Sequence, residues 1–195
     1  MKIFSYVVDH DNGFSPNPYY GVCTLAHCTF GKKGKKNVIE LAKTGDWVVG
    51  TGGNGKRSAG HGKLIYAMRV DERLTLKQYY HDRRFRKKKP RENGSFKQSC
   101  GDNLSKSKYR TNRFVLISHK YFYFGDKAIK IPPRFRNHPT HPLEKKGPGF
   151  RSKFSEKFTI AVTEWLNGNF RSGIHGIPHG YTFTKFKNTE SKICR

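Results

Sequence analysis

Short runs of apolar and β-branched residues recur along the chain and predict a protein built largely from β-strands. The runs occupy residues 2–8, 46–50, 63–70, 113–119, 120–124 and 128–131, and residues 23–30 and 181–186 are further candidates. Runs of about four to eight such residues, bounded by glycine, proline or asparagine, are typical of strands. Gly125-Asp126 separates two of the runs and predicts a two-residue hairpin turn.

Two short segments carry the sequence signals of helix starts. Asn37 is followed three positions later by Glu40, and Thr75 is followed three positions later by Gln78. In both pairs the side chain of the first residue can accept a hydrogen bond from the backbone N–H of the second residue. The side chain of the second residue can accept one from the backbone N–H of the first, and this reciprocal arrangement is a capping box. The sequence therefore predicts two helices of about two to three turns that begin after Asn37 and Thr75.

A third segment has apolar residues spaced for one face of an amphipathic helix. The spacing repeats over residues 154–166, with Ser152 or Ser155 as the cap and Gly168 beyond the end. The residues of this face are Phe154, Phe158, Ala161, Val162, Trp165 and Leu166. Strands interspersed with three helices predict an α+β fold, in which a mixed sheet or small barrel carries helices packed against it.

The charge of the chain indicates its partner. Lysine and arginine number 39 against 14 aspartates and glutamates, a formal net charge of +25 in 195 residues. Positive charges in such excess repel one another within a folded domain, and binding to a polyanion relieves this repulsion. DNA and RNA are the commonest polyanions. We interpret residues 1–195 as a single domain with a basic polar insertion at 83–112 and a basic loop at 132–151. A generally basic protein, or one that touches acidic lipid, is the alternative.

Membrane and metal signals are weak in this sequence. No apolar run reaches the roughly 20 residues of a membrane span, and the N-terminal residues lack the apolar stretch of a signal peptide. The sequence therefore predicts a cytoplasmic protein without membrane contact, whose cysteines are reduced. Cys23 and Cys28 have a spacing compatible with zinc, but no second close pair follows, so buried thiols are favoured. No metal and no cofactor is predicted.

A glycine-rich segment, Gly50-Thr51-Gly52-Gly53-Asn54-Gly55-Lys56-Arg57, follows the run at 46–50. It approximates both the dinucleotide-binding and the P-loop patterns, but those patterns need a helix directly after the glycines, and here a strand follows. We therefore interpret residues 51–62 as a loop whose backbone N–H groups let a phosphate or a flat base approach. A flexible hairpin tip that binds nothing is the alternative.

Basic side chains of this loop and of the two polar segments are the candidates for contacts with phosphates. They are Lys56, Arg57, His61, Arg83, Arg84, Arg86, Lys87, Lys88, Arg134, Arg136 and Arg151. Phosphate contacts hold a polyanion but carry no base information, so selectivity has to come from other positions. The aromatic candidates to stack on a base are Tyr6, Tyr19, Tyr20, Trp47 and Tyr66.

Three blocks of the sequence resemble the second family of nucleotide-modification-associated domains. They are residues 9–28, which contain Gly13-Phe14-Ser15-Pro16-Asn17-Pro18, residues 45–52, which begin Gly45-Asp46-Trp47, and Cys100-Gly101-Asp102-Asn103. The second block is also similar to EVE, ASCH and other PUA-like domains. The resemblance implies a PUA-like mixed β pseudo-barrel. It also implies a place in phage or prokaryotic systems that make, read or attack modified DNA bases.

The same resemblance implies where a modified base would bind. EVE-like domains are thought to take such a base into a cleft beside the barrel. The positions that map to this cleft are Tyr6, Asn17, Trp47, Thr51, Gly52 and Gly53. The expected function is therefore recognition of modified DNA, in preference to RNA. The basic loops would contact the phosphates and the cleft would hold one extruded base.

Two other functions fit the same sequence. Asp9, His10 and Asp11 lie together after the first strand, and a nuclease or a base-modifying enzyme could use such groups for a metal or a general base. A structural or inhibitory protein could instead use its charge to hold an acidic partner. Turnover of DNA would identify an enzyme. Failure to bind nucleic acid at moderate salt would identify a structural or inhibitory protein.

Overall fold

The computed structural model describes residues 1–26, 37–89 and 113–179, and these residues form an α+β fold dominated by sheet. The strands are β1 (Ile3–His10), β2 (Cys23–Leu25), β3 (Trp47–Arg57), β4 (Lys63–Arg69), β5 (Glu72–Thr75), β6 (Phe114–Ser118), β7 (Tyr121–Tyr123), β8 (Ile129–Lys130), β9 (Phe150–Arg151) and β10 (Gly173–Ile174). The α-helices are α1 (Val38–Leu41), α2 (Leu76–His81), α3 (Pro133–Arg136) and α4 (Glu156–Asn169). The candidate strand at 181–186 and residues 90–112 of the predicted insertion lie outside the described residues.

Seven of these strands form one mixed sheet. Its order is β10-β7-β4-β3-β1-β9, and β8 pairs with β4 in line with β7. β1 and β3 run parallel, as do β10 and β7, while the other pairs are antiparallel. β9 and β10 lie at opposite ends of the sheet, so the described residues do not close into a barrel. The α+β class is confirmed, and the closure expected of a pseudo-barrel is not observed.

The strands β2, β6 and β5 form a second, antiparallel sheet that packs on the first. One hydrophobic cluster joins the two sheets and includes Tyr6 of β1, Leu25 of β2 and Leu116 of β6. A second cluster, with Trp47 and Val162, joins the larger sheet to α4. A third packs α2 against the smaller sheet. The layers are therefore α4, the larger sheet, the smaller sheet and α2, with apolar contacts between each pair.

Local sequence signals account for the starts of the helices. Both predicted capping boxes are formed, at the beginning of α1 and of α2. At α4 the Phe158 N–H donates to Ser155 Oγ at 3.2 Å. The predicted apolar face of α4 is confirmed by the burial of Phe158, Val162 and Leu166. None of the helices in the described ranges has both the length and the apolar character needed to cross a bilayer.

The strand β3 continues through the glycine-rich segment, so the predicted loop over residues 51–62 is wrong for its first half. Close packing, and not a turn, requires glycine there. A Cβ at Gly50 would lie 2.3 Å from the Tyr66 ring, and a Cβ at Gly52 would lie 2.0 Å from Gly60 O. These glycines let neighbouring groups approach β3 closely, and they are buried instead of forming a cradle open to solvent.

The predicted hairpin turn at Gly125-Asp126 is also wrong. Gly125–Lys127 forms a 3-10 turn, after which β8 pairs with β4 and not with β7. The Asp126 N–H donates to Ile177 O at 2.7 Å, and Asp126 Oδ1 accepts from the Ile177 N–H at 2.8 Å. These long-range contacts hold the turn in its place, and no local sequence pattern could have indicated them.

Candidate nucleic-acid interface

An open groove with a volume of about 790 Å³ lies between two parts of the chain that are distant in sequence. Its lining residues are Tyr20, Arg83, Arg84, Arg86 and Lys87. The four cations are exposed and Tyr20 is half-buried. This lining combines charge that suits phosphates with one flat ring that suits a base.

Residues 17–24 form the wall of the groove that carries Tyr20. Asn17 and Thr24 exchange two backbone hydrogen bonds of 2.8 and 2.9 Å, which close the segment into a loop. Tyr20 (φ 63°) and Gly21 (φ 76°) adopt left-handed backbone conformations within it. That conformation is uncommon for a tyrosine and persists only where the surroundings enforce it.

The second wall is the 3-10 turn Arg83–Phe85 with the residues that follow it. Asp82 caps this turn, because its Oδ1 accepts from the Arg84 N–H at 2.9 Å. Phe85 is buried and stacks on Tyr79, with the two ring centroids 4.5 Å apart. Burial of this one ring fixes the turn and leaves its basic neighbours on the outside.

Lys88 joins the two walls, and its position corrects the sequence analysis. Its side chain is 1% exposed, and Nζ donates to Asn17 O at 2.8 Å and to Val22 O at 2.6 Å. The same Nζ contacts Thr24 Oγ1 at 3.1 Å and Asn17 Oδ1 at 3.3 Å. The prediction that Lys88 binds phosphate is therefore wrong, because its ammonium group holds the loop that carries Tyr20.

Lys89 is buried as well and ties the second wall to the end of α2. Its Nζ donates to Asp82 O at 2.7 Å, to Tyr79 O at 3.3 Å and also to Tyr80 O. Charge-assisted hydrogen bonds of this kind offset part of the cost of burying an ammonium group. Two residues of the basic run are thus structural, although composition alone made them look like part of a phosphate-binding arm.

Arg84 has a fixed position and a compensated charge. Its two terminal nitrogens donate to the two carboxylate oxygens of Glu72 at 2.8 and 2.9 Å. Nε and Nη2 also donate to Asp82 Oδ2, at 2.9 and 2.6 Å. The hydrogen bonds to Glu72 and Asp82 raise the pKa of Arg84, and its guanidinium lowers the pKa of Asp82. Arg84 therefore adds little net charge to the groove.

Arg83, Arg86 and Lys87 supply the uncompensated charge of the groove. In the part of the chain that the structure describes, none of them forms an ion pair with an acidic side chain. Lys87 Nζ lies 5.3 Å from the centre of the Tyr20 ring, which is within the range of a cation–π contact. The groove thus places three predicted phosphate-binding residues beside an aromatic ring, and their contact with phosphate stays a prediction.

The residues mapped to a base-binding cleft do not lie in this groove. All of them are buried: Tyr6, Asn17, Trp47, Thr51, Gly52 and Gly53. Trp47 is 2% exposed and stacks on Phe122, with ring centroids 6.2 Å apart. The hydroxyl groups of Tyr6 and Tyr66 share a hydrogen bond of 2.7 Å. Within the described ranges, these six buried positions therefore present no ring to a base and form no open cleft.

The remaining predicted phosphate contacts lie on other elements, and none of them lines the groove. Lys56 and Arg57 are exposed at the end of β3, and Arg134 is exposed on α3. Arg151 of β9 donates to Pro142 O. These four cations contribute to the positive electrostatic potential of the whole molecule, whereas the groove concentrates positive charge at one place.

His61 and Arg136 surround a buried carboxylate. Glu144 is 4% exposed, and its oxygens lie 3.3 Å from His61 Nδ1 and 3.1 Å from Arg136 Nε. Burial opposes ionisation of Glu144, but the Gly62 N–H and Arg136 outweigh it and hold its pKa below the ordinary value. Arg136 therefore helps to hold the turn before β4 through Glu144, which also accepts a hydrogen bond from the Gly62 N–H, whereas contact of His61 with phosphate stays a prediction.

Of the three residues proposed as catalytic groups, Asp11 is buried while Asp9 and His10 are exposed. The Tyr123 hydroxyl donates to Asp11 Oδ1 at 2.5 Å, and the His179 N–H donates to Oδ2 at 3.2 Å. Burial raises the pKa of Asp11, and these hydrogen bonds oppose the effect only in part. The described residues contain no cluster of His, Cys, Asp and Glu side chains placed to hold a metal ion.

Asp11→Asn is expected to change how stability depends on pH. A raised pKa in the folded state means that the contribution of Asp11 to stability is present at acid pH and lost as the pH rises through that pKa. Asparagine does not titrate, so the variant should gain free energy of unfolding relative to wild type from about pH 4 towards neutral pH. Urea unfolding across this range measures the change, with the exposed Asp9→Asn as control. A difference that stays constant with pH would contradict the expectation.

The cysteine predictions are tested at one position. Cys23 is buried, as predicted, and its Sγ lies 3.9 Å from Met68 Sδ. Cys28, Cys100 and Cys194 lie outside the described residues. The thioether neighbour gives Cys23 an apolar setting that suits core packing.

One known protein family matches the sequence that forms both walls of the groove. The family model described as nucleotide modification associated domain 2 matches residues 1–114 and 104–185, which include both walls. Comparisons with curated proteins and with solved structures find no match. The resemblance carried by the three sequence blocks is confirmed by the extent of the family match. The chain therefore belongs to the nucleotide modification associated domain 2 family.

Proposed function

We propose that this protein binds DNA that carries a modified base, in a phage or prokaryotic modification or defence system, and that the basic groove holds the DNA backbone. The observation that carries the proposal is the groove itself, where Arg83, Arg86 and Lys87 surround Tyr20 without acidic partners in the described residues. The family description associates the chain with nucleotide modification. DNA is favoured over RNA because the resemblance described above implies systems that act on modified DNA bases.

Electrostatics supports a polyanion as the partner. The chain carries a formal charge of +25, and each phosphate that a cation neutralises releases condensed counterions from the DNA. The three uncompensated cations come from five consecutive residues, 83–87, so their fields add at one place. Binding should therefore weaken steeply as salt is raised.

A binding role is favoured over an enzymatic one. The described lining of the groove consists of four cations and a phenol, and it includes no carboxylate or imidazole that could act as a general base. An enzyme of the same pathway remains the rival. Incubation with DNA followed by mass spectrometry separates the two, because a nuclease or base-modifying enzyme would change the mass of the DNA.

A distant relationship to PUA-like domains is part of the proposal. Its support is the order of elements after Gly45-Asp46, where β3 leads through a short turn into the antiparallel β4. This is the arrangement that the resemblance implies for the second sequence block.

Removal of the three groove cations is expected to weaken DNA binding by roughly 10- to 100-fold near physiological salt. The variant is Arg83→Gln, Arg86→Gln and Lys87→Gln combined. Loss of three phosphate contacts should also reduce the slope of log K against log salt by about 3. Fluorescence anisotropy with plain DNA and with DNA containing modified cytosines or thymines measures both quantities.

The matched control removes the same number of charges elsewhere: Lys43→Gln, Lys130→Gln and Lys157→Gln, all at exposed positions away from the groove. It should bind nearly as well as wild type. Equal weakening in both triple variants would mean that only total charge matters. The groove would then not be the binding site.

A further inference from the structure

We infer that Glu72 restrains the groove by occupying the guanidinium fork of Arg84, which a DNA phosphate would otherwise bind. The inference rests on the proposed function and specifies how the affinity of the groove for plain DNA is set. It assigns a role to a carboxylate on β5 that neither the basic composition nor the family resemblance singled out.

The contact between Glu72 and Arg84 has the geometry of an arginine–phosphate contact. Arg84 Nη1 donates to Glu72 Oε2 at 2.8 Å, and Arg84 Nη2 donates to Glu72 Oε1 at 2.9 Å. Two hydrogen bonds from the terminal nitrogens to two oxygens of one anion are also the arrangement in which arginine binds phosphate. The Glu72 carboxylate therefore lies where two phosphate oxygens would be bound.

Asp82 holds Arg84 from the other side, so the fork would keep its position without Glu72. Asp82 Oδ2 accepts from Arg84 Nε at 2.9 Å and from Nη2 at 2.6 Å, and Asp82 Oδ1 accepts from the Arg84 backbone N–H at 2.9 Å. Loss of the Glu72 carboxylate would free one N–H on each terminal nitrogen of Arg84, while Asp82 still fixes the guanidinium. Because Arg84 lines the groove, DNA bound there can accept from the freed N–H groups.

The ion pair of Glu72 and Arg84 is accessible to a competing anion. The two side chains are 32% and 50% exposed. Exposed ion pairs are screened by water and salt, so they are weak. Arg83, Arg86 and Lys87 attract phosphates to the same groove, and none of them has an acidic partner among the described residues. The restraint is therefore partial: a phosphate can displace Glu72, but the lost ion pair lowers the affinity.

A restrained groove shortens the time that the protein spends on plain DNA. Phosphate contacts carry no base information, so a full contact at Arg84 would hold the protein on plain and on modified DNA alike. Differences in affinity at one interface appear mainly in the dissociation rate. With Arg84 withheld by Glu72, the protein leaves plain DNA sooner and continues its search for a modified base.

The test compares wild type with Glu72→Gln for binding to a short duplex of plain DNA, by fluorescence anisotropy over a range of salt. Glu72→Gln should bind about 3- to 10-fold more tightly, and the slope of log K against log salt should steepen by about 1, because Arg84 gains a phosphate contact. Glu164→Gln removes the same charge from an exposed position on α4 and should change the affinity by less than about twofold.

Arg84→Lys added to Glu72→Gln separates contact by the fork from an effect of charge alone. The net charge of the protein stays the same, but lysine has no fork, so the double variant should lose most of the gain in affinity. Equal affinity of the single and double variants would show that only charge matters and would overturn the inference.

The remaining outcomes distinguish the inference from the function on which it rests. Unchanged affinity in Glu72→Gln, or an equal gain in Glu164→Gln, would overturn the role of Glu72 while leaving DNA binding intact. Failure of folded wild type to bind DNA would overturn the proposed function. Circular dichroism checks the folding of each variant, and Glu72→Thr, which suits a strand, takes the place of Glu72→Gln if that variant does not fold.

Discussion

Lys88→Met is expected to lower the free energy of unfolding by about 2–4 kcal/mol. Methionine fills similar space but donates no hydrogen bond, so Val22 O and Thr24 Oγ1 lose the buried donor that they have at 2.6 and 3.1 Å. A buried acceptor left without a partner costs about 1–3 kcal/mol. The loop that carries Tyr20 also loses its link to the second wall, so DNA binding should weaken in the same variant.

Lys87→Met is the matched control for this prediction. It makes the same chemical change one position earlier, at an exposed side chain. Its effect on stability should stay within about 1 kcal/mol, because the side chain is exposed and its cation–π contact with Tyr20 contributes no more than about that. Urea unfolding followed by circular dichroism compares the two variants. Equal midpoints would show that the Lys88 ammonium does not hold the loop.

Gly52→Ala is expected to destabilise the protein by about 3 kcal/mol. The added Cβ would lie 2.0 Å from Gly60 O, which is a backbone atom and cannot turn aside as a side chain would. To relieve this clash, β3 would have to move away from the turn that leads to β4. The strands β3 and β4 are neighbours in the middle of the larger sheet, so this movement would disturb the sheet. The same substitution would have little effect if residues 51–62 formed an open loop, so it tests the strand assignment directly.

Gly168→Ala is the control for the glycine substitution. Gly168 lies in α4 and a Cβ there would meet nothing within 4 Å. Alanine is favoured over glycine in a helix by roughly 1 kcal/mol, so this variant should unfold at a slightly higher temperature. Thermal unfolding measured side by side should move the two midpoints in opposite directions. A shift of the same sign and size in both would contradict the packing argument.

Elements with local causes could be predicted from the sequence. The capping boxes of α1 and α2 depend on side chains three positions apart, and the buried face of α4 depends on spacing within one helix. The course of β3 could not be predicted from the sequence. Its glycines are required by close packing against Tyr66 and Gly60, and these residues come near β3 only in the folded chain. Glycine spacing alone looks the same in a loop and in a closely packed strand.

The candidate site could be predicted only in part, for a similar reason. Composition pointed to the basic run, and Arg83, Arg86 and Lys87 do line the groove. The burial of Lys88 has no local signature, since its acceptors lie 64 to 71 positions away. Trp47 was misassigned because side chains alternate across a strand, and either face is compatible with an aromatic residue until the layers on both sides are known.

The place of β1 in the larger sheet has a consequence for synthesis on the ribosome. β1 leaves the ribosome before the other described strands, yet it pairs on one side with β3 in parallel and on the other with β9, where Tyr6 meets Phe150. Chains grow at about 5–20 residues per second, so this apolar segment waits several seconds for its second neighbour. A nascent chain halted before Phe150 should therefore expose one edge of β1 and recruit chaperones that bind unpaired strands.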